Sequence, residues 1–572
     1  MDAPRRRARH PDAAERAKDI AQLLYPSKEN PLGALIKYEK DIVMLRALVL
    51  EQRKRVINDN IARKEDYNWE ARIIKQGPWD PVQDPWSLDG APSLPMPVKI
   101  AEHETLEPFF EHLSLGGNEE KASTARAKEE ALEIEEPYYK IKSLEFEKGV
   151  VYSDRRMDLC KMVLGPPNIG NLLESLKTNT FITHFLLGNN IIGPTGAKAI
   201  AEFCKEFPNR MDTWYLAGNC IDTASFKILV DEWVKSTSVT NIWLKRNPLR
   251  PAAANDLFRL ITQTPNLRTL DLDQTELGDA GVADLFERLV EHTIETPLPL
   301  RHLYLNGAGV GTRAATAIAK FLESPQCALD SLYMGHNPIG NSGAIALAAG
   351  LRKNKSLTRL MLISSGISDD GAIAVFEALE DHPAISALGL GQQYATQDLG
   401  SRYNWISDRS AHAIHNLILS APKLCYLNLD AQPLTHVGLN LIYLAILQSP
   451  TIIWYDPRTI WPQERSYPAI KAGQEHKKNV ALAREHLAAN VKRIYGITYD
   501  EFRADQKRWV VSDQTDVRKI DSVYRNRDSQ MARRGLKVLD KLWDEDDETL
   551  QKVMDGAVGP TCSMRKAHAV VA

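Results

Sequence analysis

From Ile182 onward, a string close to L-x-x-L-x-L-x-x-N-x-I/L-G returns nine times. Each copy is followed by a stretch of small and apolar residues such as GPTGAKAIAEFCKEF. Its first apolar position falls at Ile182, Met211, Val239, Leu267, Leu300, Leu329, Leu357, Ile385 and Leu424, with gaps of 29, 28, 28, 33, 29, 28, 28 and 39. Phase held over nine units marks a chain that stacks one supersecondary unit, because a single unit is too small to bury its own apolar face. The working surface of such a stack is a long face rather than a closed pocket.

Within one unit, Leu300, Leu303 and Leu305 fit a short strand that turns them inward. The segment TRAATAIAKFLES then places Ala315, Ile318, Ala319 and Phe321 or Leu322 on one helical face. Stacked units align their strands as a parallel sheet. The asparagines at 190, 219, 247 and 337 recur at the turn. A buried amide there satisfies backbone groups that would be costly to leave unpaired, so this column is structural. Thr275, Ala308, Ser365 and Gln432 replace it elsewhere and predict looser turns. A weaker unit precedes the run at Leu159, Met162, Leu164 and Ile169, and a degenerate one begins at Ile452.

A repeat of 28–29 residues with a full helix resembles the ribonuclease-inhibitor-like class of leucine-rich repeats, over roughly residues 157–461. That class includes ribonuclease inhibitors, NOD-like receptor sensor regions and Ran GTPase-activating proteins. The resemblance implies an α/β solenoid, a curved horseshoe with a parallel β-sheet on the concave face and helices on the convex face. It fixes architecture far more than function.

Five segments follow. Residues 1–76 read as a helical N-terminal extension, with a heptad-like stripe at Leu35, Tyr38, Ile42, Leu45, Val49 and Val56 that fits a coiled-coil seam or packing on the protein's own flank. Residues 77–97 hold six prolines, which forbid a continuous helix, and read as a linker, with Trp79 and Trp86 as the residues able to pin it. Residues 98–156 form a charged lead-in and cap, with 118–136 mobile or helical and strands within 138–152. The solenoid spans 157–461, about ten repeats plus a degenerate end. Residues 462–572 form a polar helical extension, in which 468–543 carry seventeen Lys/Arg against ten Asp/Glu.

With 44% hydrophobic and 25% charged residues and a net charge of -3, the composition is that of a soluble chain with a sizeable core. No apolar run approaches a membrane span, and the N-terminus lacks a secretory h-region. Six scattered cysteines without a C-x-x-C pair fit reduced thiols, so a cytoplasmic or nuclear location is expected. Strings that imitate catalytic motifs fail in detail. GAGVGT at 307–312 lacks the third glycine of a dinucleotide turn and coincides with the repeat's own turn. GPPNIGN at 165–171 lacks the lysine of a phosphate loop, and HETLE at 103–107 lacks a second histidine. No enzyme, cofactor or metal site is expected.

The candidate site follows from strand geometry. The residue between the last two leucines points away from the helices, and that column reads Leu186, Tyr215, Trp243, Asp271, Tyr304, Tyr333, Met361, Gly389 and Asn428. Four large aromatics facing outward along one sheet predict a binding face, since aromatic side chains dominate interfaces. The next outward column adds Lys245 and Asp273, with Arg246 beside them. The 39-residue unit carries an insertion near 393–403 and displaces its turn asparagine to Asn404. Tyr394, Arg402, Tyr403 and Trp405 are placed to arch over the concavity from that loop.

The pattern predicts a non-enzymatic scaffold or adaptor that binds a protein partner on the concave face. The resemblance also implies, as an alternative, a GTPase activator of the Ran-activator type, although the chain has only DEDDE at 544–548 where that branch carries a long acidic tail. Nucleic-acid association through the basic C-terminal region is a third option.

Overall fold

The computed structural model describes residues 69–91, 93, 99–120, 131–132, 141–292, 294, 296–393, 396, 399–455, 457, 459–461, 466–504 and 522. The heptad-like stripe at 35–56 lies outside them. The chain divides into two units. Among the described residues, the first holds 99–190 and Ser522, and the second holds 69–93 and 191–504.

The second unit opens with helix α1 (Trp69–Gln76) and the strap that follows it. The described helices of the first unit are α2 (His103–Ser114) and α3 (Gly165–Leu176). Its strands are β1 (Ala131–Leu132), β2 (Ser143–Phe146), β3 (Val150–Tyr152), β4 (Arg156–Asp158) and β5 (His184–Leu186). Strands β1 to β4 pair antiparallel in sequence, and β4 pairs parallel with β5 in the register Met157 to Phe185. The sheet thus begins as a meander and becomes parallel at the first repeat. Strand β1 falls inside the stretch expected to be mobile or helical. Leu106, Phe109, Phe110 and Leu113 of α2, and Ile169, Leu172, Leu173 and Leu176 of α3, recur at helical spacing and are buried.

In the second unit every repeat contributes a short strand and a helix. The helices are α4 (Gly193–Glu206), α5 (Thr223–Trp233), α6 (Ala254–Gln263), α7 (Gly278–Glu291), α8 (Thr312–Leu322), α9 (Gly340–Leu351), α10 (Asp369–Ala378), α11 (Ala411–Ser420) and α12 (His436–Ile446). The strands are β6 (Thr213–Tyr215), β7 (Asn241–Trp243), β8 (Thr269–Asp271), β9 (His302–Tyr304), β10 (Ser331–Tyr333), β11 (Arg359–Met361), β12 (Ala387–Gly389), β13 (Tyr426–Asn428) and β14 (Trp454–Tyr455). All nine pair parallel and in sequence order. The register never slips, because the middle residue of each strand (Trp214, Ile242, Leu270, Leu303, Leu332, Leu360, Leu388, Leu427) is buried toward the helices. This is a leucine-rich repeat solenoid.

The asparagine column does the work the sequence assigns to it. Asn247 Nδ2 donates to Leu216 O at 2.9 Å and Leu244 O at 2.8 Å, while its Oδ1 accepts from Asn219 N at 3.1 Å and Ile221 N at 2.9 Å. One side chain therefore ties two neighbouring turns together. Asn337 repeats the pattern on Leu305 O, Met334 O, Gly309 N and Val310 N. Those last two donors lie in GAGVGT, which is thus a repeat turn. Asn404 takes the role after the insertion, donating to Leu362 O and Leu390 O and accepting from Ser365 N and Ile367 N. Gln392 brackets it, with Nε2 on Asn404 O at 2.6 Å and Oε1 accepting from Asn404 N at 3.0 Å, so the extra residues leave the register intact.

Beyond β14, helices α13 (Tyr467–Tyr495) and α14 (Tyr499–Ala504) close the stack. Ala483, Leu487 and Val491 of α13 are buried, and Phe502 of α14 packs with Ile453 and Val491. Asn490 donates to Ser449 O and Ile452 O. Helix α13 ends at Gly496 in the left-handed conformation, φ 71°. No described helix is long and apolar enough to cross a membrane.

Candidate functional site

Two surfaces of the second unit gather the residues singled out from the sequence. The first is the sheet face. Tyr215, Trp243, Tyr304 and Tyr333 stand on it in one column, and their rings form a continuous run. Centroids are 6.2 Å apart for Tyr215 and Trp243, 5.2 Å for Trp243 and Tyr304, and 4.4 Å for Tyr304 and Tyr333, whose planes differ by 2°. Trp243 reaches Tyr304 across the intervening strand β8, whose Asp271 is small enough to lie beneath. The consequence differs from the expected four solvent-facing rings. Tyr215 (6% exposed) and Trp243 (4%) are buried, and only Tyr304 and Tyr333 are half-buried. The indole N–H of Trp243 is buried with no hydrogen-bond partner among the described residues.

Beside the rings runs a polar chain. Asp271 Oδ1 accepts from Asp273 N at 2.8 Å. Asp273 accepts from Asn306 N at 2.7 Å and Asn306 Nδ2 at 3.1 Å, and Lys245 Nζ lies 3.5 Å from its second oxygen. Asn306 Oδ1 accepts in turn from Gly335 N at 2.7 Å. The Asp273 carboxylate on this buried sheet face is thereby satisfied by a neighbouring strand and by Lys245. Burial, with help from the charges of Asp271 and Asp273, raises the Tyr304 hydroxyl well above its ordinary range, so it stays a neutral donor at physiological pH. Arg246 is exposed, in the left-handed conformation at φ 59°, and its Nε donates to Gln274 Oε1 at 2.8 Å.

The second surface is the edge where the turns lie, and here the structure departs from the sequence reading. The segment taken for a linker is laid along the turns. Ala91 N donates to Gly307 O at 2.9 Å, and Leu88 O accepts from Asp279 N at 2.8 Å. Ser93 Oγ donates to Gln274 O at 2.7 Å and Asn247 O at 3.2 Å, while Ser93 N donates to Glu276 Oε1. These contacts fall where Thr275 and Ala308 replace the turn asparagine. The strap supplies backbone partners to the turns that lack an amide of their own. Gly309, at φ 85°, allows the approach, since a Cβ there would stand 2.5 Å from Gly90 N. Trp79 lies on Gly366 in the same way, and its Nε1 donates to Asp84 O at 2.8 Å.

The insertion holds the start of this strap. Arg402 forms an ion pair with Asp84, NH2 to Oδ1 at 2.7 Å, and its guanidinium stands 6.0 Å from the Trp86 ring. Tyr403 N donates to Gln76 Oε1 at 2.9 Å, and Gln76 Nε2 donates to Tyr403 O at 3.1 Å. The Tyr403 ring packs with Ile73 of α1, Ala431 and Ile460, with Trp405 against them. Arg402, Tyr403 and Trp405 therefore grip the chain's own N-terminal side instead of arching over the sheet face. Tyr394 lies outside the described residues. The signal for this contact was the pair of tryptophans in a proline-rich segment together with two adjacent turns, at Thr275 and Ala308, lacking asparagine.

Among the described residues no group of three or more His, Cys, Asp or Glu is placed to hold a metal ion. Comparison with known proteins gives matches to the Leucine Rich repeat family model at residues 178–201, 263–286 and 327–348. NACHT, LRR and PYD domains-containing protein 3 of Macaca mulatta is 21% identical over 220 residues, 38% of this chain and 21% of that protein. Ribonuclease inhibitor of Sus scrofa is 24% identical over 209 residues, 36% of this chain and 45% of the inhibitor. NACHT, LRR and PYD domains-containing protein 12 of Mus musculus is 30% identical over 240 residues, 41% and 21% of the two chains. The chain thus spans less than half the length of each of these relatives. Repeat period, in-register strands, amide-bridged turns and these similarities agree that the chain is a leucine-rich repeat protein of the ribonuclease-inhibitor-like type.

Proposed function

We propose that the protein is a non-enzymatic scaffold that binds a protein partner on the sheet face of its second unit. The observation that carries this reading is the stacked pair Tyr304 and Tyr333, half-buried at one end of a ring column and flanked by the Lys245–Asp273–Asn306 network. Preorganised aromatic rings offer large contact area at little further entropy cost, and a surrounding polar set confers orientation. Tyr215 and Asp271 support the rings from beneath, and Arg246 stands at the rim. Arg402, Tyr403 and Trp405 serve the reading indirectly, by fixing the strap that braces the turns.

The test is capture of a partner by the full chain, identification of that partner, and titration of wild type against Tyr304→Ala/Tyr333→Ala. The reading expects at least a tenfold loss of affinity with the thermal midpoint of the variant within a few degrees of wild type. Equal affinity for the two proteins would remove the sheet face from consideration.

A further inference from the structure

The first unit has a sheet face of its own, and it is not open. On β4 the side chain of Met157 turns toward the helices, so Arg156 and Asp158 turn to the opposite face, in register with His184 and Leu186 of β5. All four are buried, with Asp158 at 0% exposure. A carboxylate in that position needs donors. Tyr152 Oη donates to Asp158 Oδ2 at 3.2 Å, and Cys160 N donates to Oδ1 at 2.9 Å. The Cys160 thiol and the hydroxyl of Ser522 bond the same carboxylate. Ser522 belongs to the C-terminal extension, far along the chain, and is itself 0% exposed. The Arg156 guanidinium stacks 4.3 Å from the centre of the Tyr152 ring and pairs with Asp154, which closes the other side.

We infer that the sheet face at β4 and β5 is the docking surface of the part of the C-terminal extension that carries Ser522, seated there through Ser522 on Asp158. Three features make Ser522 a suitable anchor. Its hydroxyl is small enough to enter a fully buried position, it can donate to or accept from the Asp158 carboxyl, whose pKa burial raises, and it carries no charge of its own. Any anion at this position meets the Asp158 carboxylate in a water-excluded site, where like charges repel strongly. The contact is therefore removable by a single negative charge, while a threonine keeps the donor. The inference does not depend on the partner proposed for the second unit, because it concerns a different pair of strands and its readout needs no partner.

The experiment uses the full chain and the Cys160 thiol as reporter. Cys160 is buried beside Asp158, whereas Cys204 is buried within α4, where desolvation raises its thiol well above the ordinary range, so it reports unfolding instead. Iodoacetamide labelling is followed site by site by mass spectrometry for wild type, Ser522→Thr and Ser522→Glu. The inference expects Cys160 to label at least tenfold faster in Ser522→Glu, with Ser522→Thr like wild type and Cys204 unchanged in all three. A second variant, Ser522→Cys, is oxidised under mild conditions, and the introduced thiol is expected to form a disulfide with Cys160, since both groups contact one carboxylate. Cys160 labelling in Ser522→Glu at the wild-type rate, or in step with Cys204, overturns the inference. So does an introduced thiol that pairs with Cys562 or stays reduced while Cys160 is protected.

Discussion

Arg402 of the inserted loop and Asp84 of the proline-rich strap are joined by a two-point ion pair across 318 positions of sequence. The pair is partly exposed, with the Asp84 side chain at 51% and that of Arg402 at 22%, so its contribution is modest. A double-mutant cycle on Asp84→Ala and Arg402→Ala is expected to give a coupling energy of about 0.5–1 kcal/mol, by chemical denaturation at low salt. Arg402→Ala alone should cost slightly more than Asp84→Ala, because it also withdraws the guanidinium from the Trp86 ring. A coupling of zero would mean that the loop and strap are neighbours without being partners.

A sharper test of the strap lies at Gly309. Its φ of 85° disfavours any side chain, and a Cβ would also stand 2.5 Å from the backbone nitrogen of Gly90 and 2.6 Å from Leu88 O. Gly309→Ala should destabilise the second unit by about 1–3 kcal/mol and expose residues 77–93 to limited proteolysis. Trp79→Ala should release the same segment with a smaller stability loss, since it removes an anchor without straining a turn. If Gly309→Ala lowers stability and the strap stays protected, the strap is held elsewhere.

The difference between these two regions shows what a single sequence can carry. Strand register, helix faces and the Asn404 substitution are written in a local period, because each is set by residues within one or two units of each other. The strap is not. Its bonds run from backbone groups at Leu88 and Ala91, and from the small Ser93 hydroxyl, to turns near 275 and 308, and backbone groups leave no mark on residue type. Beside the tryptophan pair, its trace was the loss of the turn amide at Thr275 and Ala308, which reads as looseness until the strap is seen to compensate it. The direction of the aromatic column was equally legible, and its burial was not. Whether Tyr215 and Trp243 are covered depends on ring geometry across Asp271, a matter of packing and not of pattern.

The asparagine ladder gives the strongest single-site prediction. Asn247→Ala removes two donors and two accepted bonds at once and leaves Asn219 N, Ile221 N, Leu216 O and Leu244 O without that partner in a buried turn. The expected loss is about 3 kcal/mol, measured by urea denaturation. Asn247→Asp should be no better, since a carboxylate cannot donate to the two carbonyls. By contrast, the Thr275→Asn variant is expected to compete with the strap for the same turn, and to loosen residues 77–93 without destabilising the repeat.

Acid should weaken the C-terminal cap through a pair of stacked histidines. His476 of α13 lies over His436 of α12 at 4.6 Å between ring centroids, and Tyr443 stands 5.5 Å from His476. Burial, and then the neighbouring imidazole, pull His476 from its ordinary 6.5 down to about 4. The unfolded chain therefore takes up this proton near 6.5 while the folded one resists it until about 4. The contribution of this contact is complete above pH 6.5 and is lost progressively as the pH falls toward 4. His476 is half-exposed, so solvent screening reduces the effect below what the shift alone implies. His436 sits in the first turn of α12, where the positive end of the helix dipole adds to the repulsion felt by a charged His476. The measurable outcome is a thermal midpoint that falls between pH 6.5 and 4 more steeply for wild type than for His476→Gln, accompanied by earlier deuterium exchange in 467–495. Parallel pH profiles for the two proteins would assign the acid sensitivity to other groups.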